Sequence, residues 1–332
     1  MEGPVHAKEW MVMKKVLTGA LTLILFCATV VFGGGAVIGR IKKVGEYPNF
    51  VALSLDGKTA YVTSYGSNEL LAVNLTQKAV TRSVAVGTAP LGLAITGDGA
   101  LAYVACRNSG TISVVDLKDF RIVTDITVGG SPSAVAISPR GYFAYVTNFG
   151  RSREGELHFI DLRQQSLVTS IKMGISPIAL AVSPLTELVY VVNGGSNEVW
   201  VVDPNRQVVS SKISVGEAPD GIAITPDGKR VFVTNSRTHD LSVIDAESGK
   251  VLVTIPVGKM PFGVATSPDG KKVLVVNAES NTISILPADL SSLQAATFQV
   301  DKGATDIKIA PNSSTAVIVS EQTHTLMIAE VR

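Results

Sequence analysis

From residue 37 onward the chain reads as short apolar runs separated by turn residues, with the two-residue alternation of strands rather than the 3.6-residue period of helices. The stretch beginning at Gly216 shows the unit most clearly. Gly221-Ile-Ala-Ile-Thr225 leads into the turn Pro226-Asp-Gly228, then Arg230-Val-Phe-Val-Thr234. A loop from Asn235 to Asp240 precedes Leu241-Ser-Val-Ile-Asp245, and a turn at Glu247-Ser-Gly249 precedes Val251 to Val257. Four strand-like runs joined by tight turns predict an antiparallel meander, with Asp-Gly suiting a hairpin because glycine accepts the positive φ that such turns require.

The unit recurs. A Gly-x-x-Pro step starts it at Gly45, Gly87, Gly129, Gly174, Gly216 and Gly258, at intervals of 42, 42, 45, 42 and 42 residues. A degenerate seventh copy begins at Asp301, with Ala304 in place of proline. A four-stranded unit of this length cannot bury both faces alone, so seven copies predict a seven-bladed all-β propeller of four-stranded antiparallel blades over residues 37–332. The chain ends on Leu326-Met-Ile-Ala-Glu-Val331, which aligns with a third strand, and residues 37–44 read as an orphan fourth strand. The amino-terminal strand is therefore expected to complete the last blade and close the ring, leaving no large open edge. The centre of each innermost strand reads Ala52, Ala94, Ala136, Ala181, Ala223 and Ala265, small residues expected to let blades converge at the axis; Lys308 is the exception.

Residues 1–36 carry a different message. Lys14 and Lys15 precede a run from Val16 to Gly39 with no charged residue, the layout of a secretory signal. Met13-Lys14-Lys15 resembles a signal-peptide start, so residues 1–12 are expected to be an upstream extension or a start-site choice. The 24 uncharged residues would rise about 36 Å as a helix, so membrane anchoring through residues 16–39 is the alternative to cleavage. Either way the propeller is expected to be extracytoplasmic, in the periplasm, at the cell surface or secreted. Composition adds limits: 29 basic against 28 acidic side chains give a net charge of +1, which provides no wholesale attraction for nucleic acid. Two cysteines, Cys27 and Cys106, build no disulfide framework and match no zinc or haem spacing.

The second strand of each unit reads Tyr61-Val-Thr-Ser64, Tyr103-Val-Ala-Cys106, Tyr145-Val-Thr-Asn148, Tyr190-Val-Val-Asn193, Phe232-Val-Thr-Asn235, Leu274-Val-Val-Asn277 and Val317-Ile-Val-Ser320. With the Pro-Asp-Gly turns and Ser-Val-Ile-Asp strands, residues 37–332 resemble the YVTN family of β-propeller repeat proteins. The resemblance implies an exported, mostly prokaryotic propeller, with lactone hydrolases, haem d1 domains and subunits of quinoprotein amine dehydrogenases among similar folds. It does not choose among those activities, because fold does not imply function.

In a propeller, the loops entering the innermost strands share one face with the loops between second and third strands, the expected binding surface. Entry loops bring Asp220, the one carboxylate of a set that also includes Asn49, Ser133 and Thr305. The second-to-third loops bring Arg107, Arg151, Arg153, Arg237, His239, Glu279, Glu321 and His324. The loop after Asn148 is three residues longer than its counterpart after Asn235, and Arg151 and Arg153 on it can clamp a carboxylate or phosphate. Asp220, His239, Glu279, Glu321 and His324 are candidates for a polar cluster at the channel mouth. Lys308 either snorkels to the channel or marks a loosely packed blade. Asn148, Asn193, Asn235 and Asn277 read as turn caps, as do Asp116, Asp161, Asp203 and Asp245. No nucleophile elbow, haem attachment or phosphate loop is present, and no cofactor or metal is indicated. The reading is a noncatalytic binding or protein-interaction scaffold with a protein, glycan or small anionic partner. The alternatives are a lactonase-like hydrolase at the channel mouth and an accessory subunit of a periplasmic redox complex.

Overall fold

A computed structural model describes residues 34–149 and 154–332. Over them the chain forms twenty-eight strands, β1 to β28 in chain order, in seven four-stranded antiparallel sheets. In the fifth blade β18 (Pro219–Ile224), β19 (Arg230–Asn235), β20 (Asp240–Asp245) and β21 (Lys250–Pro256) pair in sequence order. The other innermost strands are β2 (Pro48–Leu53), β6 (Pro90–Ile95), β10 (Pro132–Ile137), β14 (Pro177–Val182), β22 (Pro261–Thr266) and β26 (Ala304–Ile309). Turns from inner to second strand follow one recipe. Thr225 Oγ1 donates to Asp227 Oδ1 at 2.5 Å, Asp227 accepts from Lys229 N at 3.1 Å, and Gly228 takes a φ of 66°. Ser54–Asp56 and Thr96–Asp98 repeat the hydroxyl–carboxylate bond, which holds the carboxyls of Asp56, Asp98 and Asp227 below the usual range.

Closure follows the expected route. Strand β1 (Gly35–Lys42) pairs antiparallel with β28 (Thr325–Val331), giving the seventh sheet the order β1-β28-β27-β26, where β27 is Thr315–Ser320. Each gap between neighbouring blades holds one apolar core. Phe232, Val243 and Ile255 of blade five meet Val264, Val275 and Leu286 of blade six. Val317, Val319 and Ile328 of blade seven meet Val51, Val62 and Val73 of blade one, with Ile41 and Val44 in the same cluster. Closing the ring therefore buries a face of the first and last blades that an open array would expose.

The inner-strand alanines have a different purpose from the one expected. Ala52, Ala94, Ala136, Ala181 and Ala223 lie directly opposite Tyr61, Tyr103, Tyr145, Tyr190 and Phe232 on the second strands. A methyl group on one strand makes room for an aromatic ring on its neighbour, a small–large cross-strand pair. Lys308 obeys the same rule in reverse, for its partner is Val317. The closest approach of blades comes two residues earlier. A Cβ at Gly221 would collide with the Phe262 carbonyl oxygen, and one at Gly263 would lie 2.7 Å from Thr305 O.

Residues 1–33 of the 1–36 address segment, Cys27 among them, lie outside the described residues. One part of that reading is corrected. Gly35 to Gly39, the end of the uncharged run, belong to β1 and pair with Val331 to Ile328, so residues 16–39 are not available as one anchor. Among the described residues no helix is long and apolar enough to cross a membrane.

Candidate functional site

The loop face is built around a left-handed residue at the end of the loop between second and third strands in six of the seven blades. Asn68, Gly110, Asn197, His239, Asn281 and His324 hold φ values from 53° to 65°. Each carbonyl accepts the N–H that follows an outer strand, from Val86, Val128, Val215, Val257, Val300 and Val44 respectively. In three of them the side chain does a second job. Asn68 Oδ1 accepts from Ala89 N at 2.8 Å, Asn197 Oδ1 from Ala218 N at 2.9 Å, and His239 Nδ1 from Met260 N at 3.2 Å. Ala89, Ala218 and Met260 are themselves left-handed residues immediately before a proline, at φ 49° to 55°, a conformation that a bulky preceding residue adopts only when its surroundings fix it. His239 is thus an asparagine equivalent that ties one blade to the next. His324 meets Tyr47, the residue before Pro48, ring to ring at 5.4 Å.

Buried residues at the ends of the second strands anchor the entry loops. Asn148 accepts from Ser131 N at 2.7 Å and donates to Gly129 O at 2.9 Å; Asn277 accepts from Gly258 N at 3.0 Å; Ser64 accepts from Glu46 N at 2.8 Å. Asn148 Nδ2 also donates to His158 Nε2 at 2.6 Å, which leaves the proton of neutral His158 on Nδ1 facing Ser170 Oγ at 2.6 Å. Burial holds the His158 imidazole below its ordinary pKa. Cys106 is buried, with its sulfur 3.4 Å from Ser113 Oγ and its thiol pushed up by burial, so it is no thiolate nucleophile. Asp116, Asp161, Asp203 and Asp245 cap the turns between third and fourth strands as expected, Asp116 accepting from Lys118 and Asp119 N.

The predicted polar cluster does not assemble. Among the described residues no three His, Cys, Asp or Glu side chains are placed to hold a metal. His239 is bonded to Met260, Glu279 lies 4.0 Å from Lys259 at the rim, and His324 lines a shallow cleft with Lys42, Lys43 and Gln322. Glu321 is half-buried with its backbone N–H on Gly303 O, and Arg237 is exposed. Arg107 lays its guanidinium over the Phe149 ring at 5.1 Å, a cation–π contact between second and third blades. Arg151 and Arg153 lie outside the described residues.

Asp220 sits apart from all of these, in the axial channel. A cavity of about 380 Å³ is lined by all seven inner strands, through apolar side chains such as Phe50, Leu93, Val135, Leu180 and Ile222. Its ionisable residues are Asp220, Asp306 and Lys308. Lys308 Nζ lies 3.0 and 3.1 Å from the two oxygens of Asp306 and 3.3 Å from Ile307 O, while Asp306 Oδ2 accepts from Val51 N at 3.1 Å. Lys308 therefore does reach the channel wall, but its charge is matched there. The pair also sits on the closing seam, where Thr305 Oγ1 donates to Asn49 O at 2.8 Å. Asp306 is the residue that sequence reasoning missed. The signal was available: Asp306 and Lys308 are two apart, hence on one face of a strand. Asp220 has no such partner among the described residues. Burial alone raises its carboxyl to about 6.

The comparisons with known proteins agree with this architecture. The model of the YNCE-like beta-propeller family matches residues 179–330, the last four blades. No curated protein matches the chain. Among solved structures, a chain of Kuenenia stuttgartiensis hydrazine synthase superposes with a TM-score of 0.79 at 22% identity, covering 88% of this chain and 97% of that one. A functionally unknown protein from Desulfotomaculum acetoxidans superposes with a TM-score of 0.72 at 17% identity, covering 82% and 92% respectively. At these identities the likeness is one of fold: the chain is a seven-bladed, all-β propeller of four-stranded antiparallel blades.

Proposed function

We propose that this chain is an extracytoplasmic propeller of the YVTN-repeat kind that serves as a noncatalytic binding module, presenting its loop face to a protein partner. The observation that carries this reading is the use made of the rim side chains. His239 and His324, the groups that a hydrolase would need free and convergent, are bound into contacts between blades. What the rim leaves open to solvent is scattered charge, with Arg237 and Glu279 exposed, which suits docking better than general acid–base chemistry. The apolar run before β1 supports export. The fold likeness to a hydrazine synthase chain favours one form of this reading, an accessory subunit of a redox complex.

The test is native-mass analysis of the tagged full chain isolated from its own cells. Wild type is expected in an assembly larger than the 34.8 kDa chain. The double variant Arg107→Glu, Arg237→Glu should be released as monomer. Lys229→Glu with Lys271→Glu, exposed on the turns of the opposite face, should leave the assembly intact. A monomeric wild type, or equal behaviour of the two variants, contradicts the proposal.

A further inference from the structure

We propose that the axial channel binds a small organic monocation, a protonated amine on an apolar body, whose ammonium group pairs with Asp220. The channel holds two carboxylates and one ammonium, so its net charge is −1 when all three are ionised. Asp306 and Lys308 satisfy each other at 3.0 Å, which leaves the negative charge on Asp220, a carboxylate with no hydrogen-bond or ionic partner among the described residues. A charge kept in such a place without a partner works against folding. The rest of the wall is apolar side chain, strand backbone and the hydroxyls of Thr266 and Thr305, which donate to Ile224 O and Asn49 O, and the volume of about 380 Å³ lies within the range of small-molecule pockets. One unpaired carboxylate in an apolar cavity favours a single positive charge carrying hydrocarbon. A hard divalent ion asks for six or more oxygen ligands, and an anion would meet Asp220 unscreened.

The surroundings of Asp220 isolate it. The strands packed against β18 are β14, β15 (Val189–Asn193), β19 and β22. Their only titratable side chains are Tyr190 and Arg230, which point to the Ala246 and Ala288 carbonyls at 3.5 and 3.1 Å and do not line the channel. Asp306 and Lys308, on β26, are the other titratable groups of the wall. Recognition of the amine is therefore governed by the ionisation of Asp220 itself.

Calorimetric titration of the full chain with benzylammonium tests this, with benzyl alcohol as neutral counterpart and Ca²⁺ as the metal arm. Saturable binding of benzylammonium is expected at pH 7.5. It should weaken about tenfold at pH 5, where a carboxyl at about 6 is largely protonated. Asp220→Asn should weaken it by at least about tenfold at pH 7.5, while Asp220→Glu should retain it. Melting curves of both variants confirm that they are folded. Equal binding to wild type and Asp220→Asn, equal binding of benzyl alcohol, binding of Ca²⁺ in place of the amine, or no binding up to millimolar amine overturns the proposal. The loop-face partner is scored separately: Asp220→Asn is expected to leave the native assembly intact, so either reading can fail without the other.

Discussion

Replacing Asp220 with asparagine should make the protein more stable, and the gain should depend on pH. At 1.36 kcal/mol per pH unit, a carboxyl held at about 6 instead of 3.8 costs the folded state about 3 kcal/mol at pH 7. Asp220 keeps partial contact with the channel space, which lowers this to about 1–3 kcal/mol. Between pH 3.8 and about 6 the folded protein binds more protons than the unfolded chain, so this residue's contribution falls as pH rises through that window. Below pH 3.8 the carboxyl is neutral in both states and the substitution should be silent. For a domain of this size each kcal/mol moves Tm by roughly 2–4 °C. Thermal melts of wild type and Asp220→Asn at pH 7.5 and pH 3.5 measure the effect. The variant should melt higher at pH 7.5, by roughly 2–12 °C, and the difference should vanish at pH 3.5. A lower Tm for the variant at pH 7.5, or a gain that persists at pH 3.5, would refute the assignment of Asp220 as an unpaired, desolvated charge.

Three further outcomes follow from the contacts. His239→Asn should leave the unfolding free energy from chemical denaturation within about 0.5 kcal/mol of wild type, because asparagine makes the same cap at positions 68 and 197; His239→Ala should cost about 0.5–2 kcal/mol. Deleting residues 37–44 removes most of β1 with buried Ile41 and Val44, so chemical denaturation should show a loss of about 3–6 kcal/mol from those two side chains alone; an unchanged midpoint would contradict ring closure. His158, whose folded pKa lies below 6.5, contributes stability that is complete above pH 6.5 and is lost as pH falls toward its folded value. In an Asp220→Asn background, which removes the opposing slope, Tm should fall on acidification from pH 6.5 to 5, and His158→Gln should flatten that fall.

Fold and site differ in how much of each the chain reveals to a reader. The Gly-x-x-Pro interval repeats because the entry loops before Pro48, Pro90, Pro177, Pro219 and Pro261 make the same left-handed turn, which Gly130 makes one residue earlier before Pro132, so blade number, blade order and the closing role of β1 could be read directly. The alanines were recognised but misassigned, since a strand pattern does not say which residue lies across the sheet. Their partners Tyr61, Tyr103 and Tyr145 emerge only with the register. His239 and His324 looked chemical because histidine is rare in this chain. The corrective signal was their alignment with Asn68, Asn197 and Asn281, residues that favour left-handed turns. Asp220 stood out as the lone acid of the entry loops. The partner of Lys308 was legible in its two-residue spacing from Asp306, whereas the lack of a partner for Asp220 is a matter of distance around the ring, which no local pattern encodes.

The measurement that bears most directly on the channel is a ¹³C NMR titration of the aspartate carboxyls in the full chain, with Asp220 assigned by the signal lost in Asp220→Asn. A midpoint near 6 is expected, moving lower when benzylammonium is added. A midpoint at or below 3.8 would mean that Asp220 is paired within the fold, and the unpaired charge assigned to the axial channel would be contradicted.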